Sequence, residues 1–376
     1  MSYRQGQRCL QSKQGMLVKI PRAPSQKATV SSKEADRQAV RPGIDAVSLP
    51  SQQRKAGTLN TKEYTAPPAG FTLPPEIYTP CDTPGYEPAY VGHEAQDINL
   101  VVEGGALRGI FAAGVQDFFM DVGLWAKNTI GVSAGALCGA NYVSGSRGRT
   151  CYINVRFCND WHYLSMQSFL VTGNAYGVEF AFHDIPAKYC AQDNEGFANS
   201  PSNLIAVVTN LETGKAEYLH VKDLATDWPY VRASSAMPFV SETVMIDGKP
   251  YLDGGLADSI PLDYSLELGA KKHIVLLTQD RDYRKESNPS SDLAKVFYRE
   301  YPEFAKTIER RAEVYNQTRE KVFAMHDAGE IFAIYPQEKP YVTHMETNRV
   351  KVFDFYMDGY KEAARQWPAL KEYLAS

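Results

Sequence analysis

Two short apolar runs, each closed by a glycine-rich turn and followed by a helical pattern, constrain this chain more than any other feature. Ile98-Asn99-Leu100-Val101-Val102 suits a strand buried on both faces. It ends in Glu103-Gly104-Gly105-Ala106-Leu107-Arg108-Gly109, after which Ile110, Phe111, Gly114, Phe118 and Phe119 occupy inward helical positions until Gly123. Thr129-Ile130-Gly131-Val132 repeats the pattern and passes through Ser133-Ala134-Gly135-Ala136-Leu137 into a second helix. Successive strand–turn–helix units require a parallel sheet, because each crossover must lie over the strands it joins.

Further strands are expected at 204–210, 216–219, 244–246, 273–278 and 331–335, and helix at 292–329 and 348–365. The 376 residues permit one large domain with attachments. Charge divides the chain unevenly: the first 60 residues carry 11 Lys/Arg against 3 Asp/Glu, and the remainder 29 against 41. Five proline positions or pairs, at 67–68, 74–75, 80, 84 and 88, favour extended or turn backbone before the first strand. Residues 1–95 are therefore read as a basic leader, disordered or extended. Residues 96–280 are read as the main α/β domain and 281–376 as a mainly helical extension packed on it. The expected class is α/β.

No apolar secretory segment is evident at the N-terminus. The longest uncharged run of the body, 128–146, is too rich in Gly, Ala, Ser, Thr and Asn to span a membrane. A cytoplasmic place, or a peripheral one at a membrane, is expected. The net charge of −4 gives no general reason to expect nucleic acid as a partner. The six cysteines make no C-x-x-C pair and no zinc-ligand spacing.

Gly131-Val132-Ser133-Ala134-Gly135 matches G-x-S-x-G between a strand and a helix, the context in which a strained turn pushes a serine Oγ outward. The new helix favours developing negative charge at its N-terminus. Upstream, Gly104, Gly105 and Ala106 offer backbone N–H groups for an oxyanion hole, and Arg108 can brace that loop or attract an anionic head group. A dinucleotide turn is disfavoured: the spacing is G-G-x-x-x-G, and the second strand ends in the serine turn rather than a ribose-binding acid.

Such a serine needs a base. His273 begins an apolar strand, and His326 and His344 sit in the helical third, so none marks a special loop. Asp253, in Tyr251-Leu252-Asp253-Gly254-Gly255, is the better candidate, placed after a hairpin turn read at Gly248-Lys249-Pro250. Asp247 and Asp258 are local rivals, read as a turn residue and a helix cap. An ordinary Asp, with a pKa near ~3.9, is a poor base at neutral pH and needs a desolvated site or hydrogen-bonding help.

These blocks, in order, together with Ala233-Ser234-Ser235-Ala236-Met237-Pro238, resemble the patatin-like phospholipase family. Tyr298-Arg299-Glu300-Tyr301-Pro302 and Arg311-Ala312-Glu313-Val314-Tyr315-Asn316 resemble its bacterial subgroup with a C-terminal helical extension. The resemblance covers roughly 97–370. It implies a three-layer α/β/α fold, a Ser133–Asp253 dyad without His, and an oxyanion loop carried by Gly104, Gly105, Ala106 and Arg108. The implied function is hydrolysis of lipid carboxylic esters, of phospholipase A or lysophospholipase type, without metal or organic cofactor. Glu103 stands where the family loop usually begins with Gly, which puts a carboxylate near the site and disfavours anionic substrates.

The implied partners are a lipid ester substrate and a transient membrane or micelle surface, with the basic leader able to supply attraction to anionic bilayers. Trp161, Tyr163, Phe169, Tyr176, Phe180 and Phe182 are candidates either to line an acyl groove or to pack as core, with Trp161, Phe169 and Arg108 taken as substrate-binding. A Ser-His-Asp carboxylesterase and a catalytically silent lipid-binding scaffold stand as the alternatives.

Overall fold

The computed structural model describes residues 94–287 and 291–376, and the leader at 1–93, with the roles expected of it, lies outside the described residues. Eight strands form one sheet: β1 (Gln96–Val102), β2 (Ala126–Val132), β3 (Asn203–Asn210), β4 (Ala216–Val221), β5 (Val244–Ile246), β6 (Lys249–Asp253), β7 (Lys272–Leu276) and β8 (Phe332–Ile334). The order β5-β6-β3-β2-β1-β7-β8 makes β3, β2, β1, β7 and β8 a parallel centre, while β4 and β6 both run antiparallel to β3.

The helices are α1 (Ile110–Asp121), α2 (Ala134–Val143), α3 (Arg149–Phe157), α4 (Met166–Thr172), α5 (Asn194–Ala198), α6 (Leu224–Ser234), α7 (Leu262–Leu268), α8 (Ser291–Phe297), α9 (Pro302–Asp327) and α10 (Arg349–Ala375). Alternation along the strands divides them into layers. Leu100, Val102, Leu204, Ala206, Ile274 and Leu276 face one core, shared with α1, α2, α3 and α10. Val101, Ile130, Val132, Ile205, Val207 and Val275 face the other, closed by α7 and α9 through Leu262, Tyr315, Val322 and Phe323. The result is a three-layer α/β/α fold with mainly helical structure toward the C-terminus.

β8 pairs in parallel with β7, so the C-terminal region adds a strand to the sheet as well as helices. α10 packs against α1 by close backbone approach. A Cβ on Gly114 would stand 2.1 Å from the Tyr356 carbonyl oxygen, and one on Gly359 2.0 Å from that of Phe111. α10 also runs past Pro368, beyond the helix end expected at 365, because fully buried Leu370 and the packed Trp367 and Tyr373 keep its last turns docked.

Two local expectations are corrected. The β5–β6 turn is Asp247-Gly248, both at positive φ, and Pro250 lies within β6 opposite Met245. Asp258 caps no helix: it accepts a 2.8 Å hydrogen bond from the Tyr218 hydroxyl, and burial pushes its carboxyl up to about 6. Among the described residues no helix is long and apolar enough to cross a membrane.

Candidate active site

Ser133 stands between β2 and α2 with φ 55° and ψ −121°, a backbone state that L-residues rarely adopt. Its N–H donates to the Ser234 hydroxyl at 2.9 Å. The Gly104 loop lies directly against it, since a Cβ on Gly104 would come within 2.8 Å of both Ser133 Cβ and the Val132 carbonyl oxygen. Only glycine lets that loop sit so close to the serine.

Asp253 ends β6 and is buried. The Ser133 side chain stands beside its carboxylate, close enough to act on its pKa, and Oδ1 accepts the Gly255 N–H at 2.7 Å. Burial raises the Asp253 pKa above the ordinary carboxylate value, opposed by Ser133, by the Gly255 N–H and by the fields of Arg311 and Lys285. The Asp253 N–H donates to the Ala236 carbonyl at 2.8 Å. The Ala233–Pro238 block thus serves both groups: Ser234 holds the serine turn, Ala236 holds the aspartate, and Met237 lines the adjoining chamber.

Gly104 lies against the serine, and after Gly105 comes Ala106, which borders the same chamber as Ser133 and takes φ 49° at the head of a single 3₁₀ turn, Ala106–Gly109. Among the described residues, the N–H groups of these three meet no protein acceptor. Arg108 follows in this turn, its Nη2 donating to His344 Nε2 at 2.7 Å. Desolvation and the cations Arg108, Lys285 and Arg311 push His344 down to about 4, so it is neutral at neutral pH and accepts that bond. Glu103 is turned into the protein, where its carboxylate accepts from the Thr278 N–H, the Thr278 hydroxyl and, at 2.5 Å, the Tyr315 hydroxyl.

A chamber of about 380 Å³ opens from Ser133 between α2, α3, α6 and the 176–192 segment. Leu137, Ile153, Leu164, Phe182, Trp228 and Met237 give it apolar walls. Asn141, Arg149 and Thr150 form a polar floor that satisfies itself: Arg149 donates to Asn141 Oδ1 at 2.8 Å and to the Cys190 and Ala191 carbonyls, and Asn141 donates to Thr150. Tyr163 and Tyr176 also border the chamber, but Trp161 and Phe169 do not. Trp161 stacks on His162, and Phe169 belongs to α4, whose Met166, Leu170 and Val171 are exposed. Trp228, Lys285 and Arg311 are site neighbours to which sequence reasoning gave no role, and His344, set aside there as a base, is another.

The two other histidines weighed as a base are engaged elsewhere. His273 shares a buried 2.9 Å hydrogen bond with Ser265, and His326 accepts the Ala333 N–H at 3.2 Å. Neither bonds to Ser133.

The fold and site define an α/β protein with a serine on a strand-to-helix elbow, a buried aspartate beside it and a glycine-rich loop across it. Residues 100–266 match the family model described as patatin-like phospholipase, and this stretch of the chain is a patatin-like phospholipase domain. Residues 301–375 match a domain of unknown function, DUF6363. The chain is 29% identical over 186 residues to the uncharacterized protein YjjU of Escherichia coli K12, covering 48% of this chain and 52% of that protein. It is 26% identical over 180 residues to the lysophospholipase nte1 of Aspergillus niger, covering 46% of this chain and 11% of that protein. It is 28% identical over 203 residues to the lysophospholipase NTE1 of Cryptococcus neoformans, covering 50% and 12%. The chain thus spans about half of the bacterial relative and about a tenth of the fungal ones. Among solved structures, VipD from Legionella pneumophila is similar with a TM-score of 0.42 and 13% identity, over 74% of this chain and 67% of that one.

Proposed function

We propose that this protein is a serine acyl hydrolase acting on lipid carboxylic esters, of phospholipase A or lysophospholipase type, with Ser133 as nucleophile and Asp253 as its base. The observation that carries this reading is one arrangement: a strained serine beside a buried carboxylate, at the mouth of a mainly apolar chamber. Asp253 accepts the Ser133 proton as Oγ attacks the ester carbonyl. The N–H groups of Gly104, Gly105 and Ala106 receive the oxyanion. Asp253 returns the proton to the departing alcohol, and water, activated by the same carboxylate, releases the fatty acid from the acyl-enzyme. The acyl chain occupies the chamber, whose volume falls in the ~300–1,000 Å³ range usual for small-molecule sites.

Ser133→Ala and Asp253→Asn are each expected to lower ester hydrolysis at least ~1000-fold with folding intact, as for residues that act as a catalytic unit. A fluorophosphonate probe should label Ser133 in the native chain and fail in Ser133→Ala. Full activity in either variant overturns the dyad. The engagement of His273, His326 and His344 away from Ser133 weighs against a histidine triad. Products released from a mixed lipid extract, identified by mass spectrometry, define the substrate class.

A further inference from the structure

One face of α9 reaches the surroundings of the site at four points. Arg311 Nε donates to the Gly255 carbonyl at 2.7 Å, two residues from Asp253. One turn on, the Tyr315 hydroxyl donates to Glu103 at the head of the glycine loop. Asn316 clamps the Lys285 backbone from both sides, accepting its N–H at 2.8 Å and donating to its carbonyl at 2.9 Å. Buried Arg319 donates to the Asp280 carbonyl, holding the start of the loop that carries Lys285.

The consequence is a fixed group of cations. The Lys285 ammonium sits 4.3 Å from the Tyr315 ring centroid and lines, with Arg311 and Tyr283, a second cavity of about 500 Å³. The fields of Arg311 and Arg108 both reach Lys285, and all three cations reach His344. Among the described residues none of the three is ion-paired within 4.0 Å. The carboxylates facing them already accept hydrogen bonds within the protein: Glu103 from Thr278 and Tyr315, Asp253 from the Gly255 N–H. Glu286, also on the cavity wall, is exposed. Burial first, then Arg311 and Arg108, bring Lys285 down to about 8, against the opposing fields of Glu103 and Asp253.

We propose that Lys285 and Arg311, with Arg108 on the glycine loop, form an anion subsite that takes the phosphoryl group of an acylated glycerophosphate while its acyl chain enters the chamber. This rests on the lipid-ester reading above and adds the chemistry of the head group. It reverses the expectation that Glu103 disfavours anionic substrates, because the Glu103 carboxylate is turned inward and held by Thr278 and Tyr315.

Sub-micellar 1-hexanoylglycerol 3-phosphate and 1-hexanoylglycerol, titrated calorimetrically into the full chain carrying Ser133→Ala, test this without turnover. The phosphate-bearing ligand should bind ~10–100-fold tighter, the range expected for hydrogen bonds to charged groups. Lys285→Gln should bring the two affinities together, and Lys285→Arg should restore most of the difference. Equal affinities in the unmodified subsite, or a preference that survives Lys285→Gln, overturn the proposal. Inorganic phosphate that binds as tightly as the lipid phosphate, with the same dependence on Lys285, overturns the lipid assignment in favour of a free-anion site. Hydrolysis of p-nitrophenyl butyrate by the wild-type chain separates the two readings. Its absence with the binding preference intact sinks the hydrolase, and its presence without the preference sinks the subsite.

Discussion

An aspartate with an ordinary pKa is a weak base at neutral pH, and the surroundings of Asp253 address that weakness. Burial raises its proton affinity, while the Ser133 hydroxyl, the Gly255 N–H, Arg311 and Lys285 limit the rise. The base works deprotonated, so kcat/KM for a neutral soluble ester should rise with pH through a midpoint above the usual carboxylate value of 3.8. A midpoint at or below that value tells against Asp253 as the base. Ser133 was legible in the sequence because its turn is sterically demanding, and steric demand leaves glycines at fixed positions. Arg311 and Lys285 were not. A cation in a charge-rich helix or loop has the same letter whether it faces water or an active site. Nor did the sequence separate Trp161 and Phe169 from Tyr163, Tyr176 and Phe182, because the aromatic segment includes a π-helical stretch, Phe180–Tyr189, and follows no single periodicity.

Among the elements, the α1–α10 crossing carries the clearest mechanical demand. Gly114 and Gly359 let the two backbones touch, and Phe118 lies edge-on to Tyr360 and Trp367. Gly359→Val should cost at least ~2 kcal/mol, since the added atoms meet a main-chain carbonyl that moves only with its helix. Urea unfolding measures this, and an unchanged midpoint would contradict it. At the same crossing, buried Asp117 accepts from the Tyr356 hydroxyl at 2.7 Å and the Gly148 N–H at 2.9 Å, and burial pushes it up to about 7. A carboxyl whose pKa is raised on folding holds a proton that the unfolded chain releases from about pH 4 upward. Its contribution to stability therefore declines from about pH 4 to about pH 7. Asp117→Asn should melt higher relative to wild type at pH 8 than at pH 5, and no pH dependence of that difference would refute the assignment. Neither helix of this pair was hard to find from its periodicity. Their contact was invisible, because isolated glycines in two helices 245 residues apart give no sign that they meet.

At the scale of the whole molecule, the parallel centre and its layers were readable because strand-to-helix turns force crossovers. The return of the chain after residue 330 to extend the sheet depended on three residues, too short a run to declare its partner. α9 was expected only to pack on the body. Instead it touches the aspartate turn through Arg311, the glycine loop through Tyr315 and the loop after β7 through Asn316 and Arg319. Three loops far apart in sequence thus share one support, and that support lies outside the parallel strands. Its failure is then a separate event from the failure of the sheet. In a urea titration, ester hydrolysis should vanish at a lower concentration than the bulk of the circular-dichroism signal, since small displacements of α9 misalign base, oxyanion donors and cations together. Coincident transitions would mean that α9 comes away only when everything does. If they separate, the chain's resistance to inactivation is set by how firmly one surface helix stays seated, and stabilising substitutions at that seat should prolong activity without raising the melting point of the sheet.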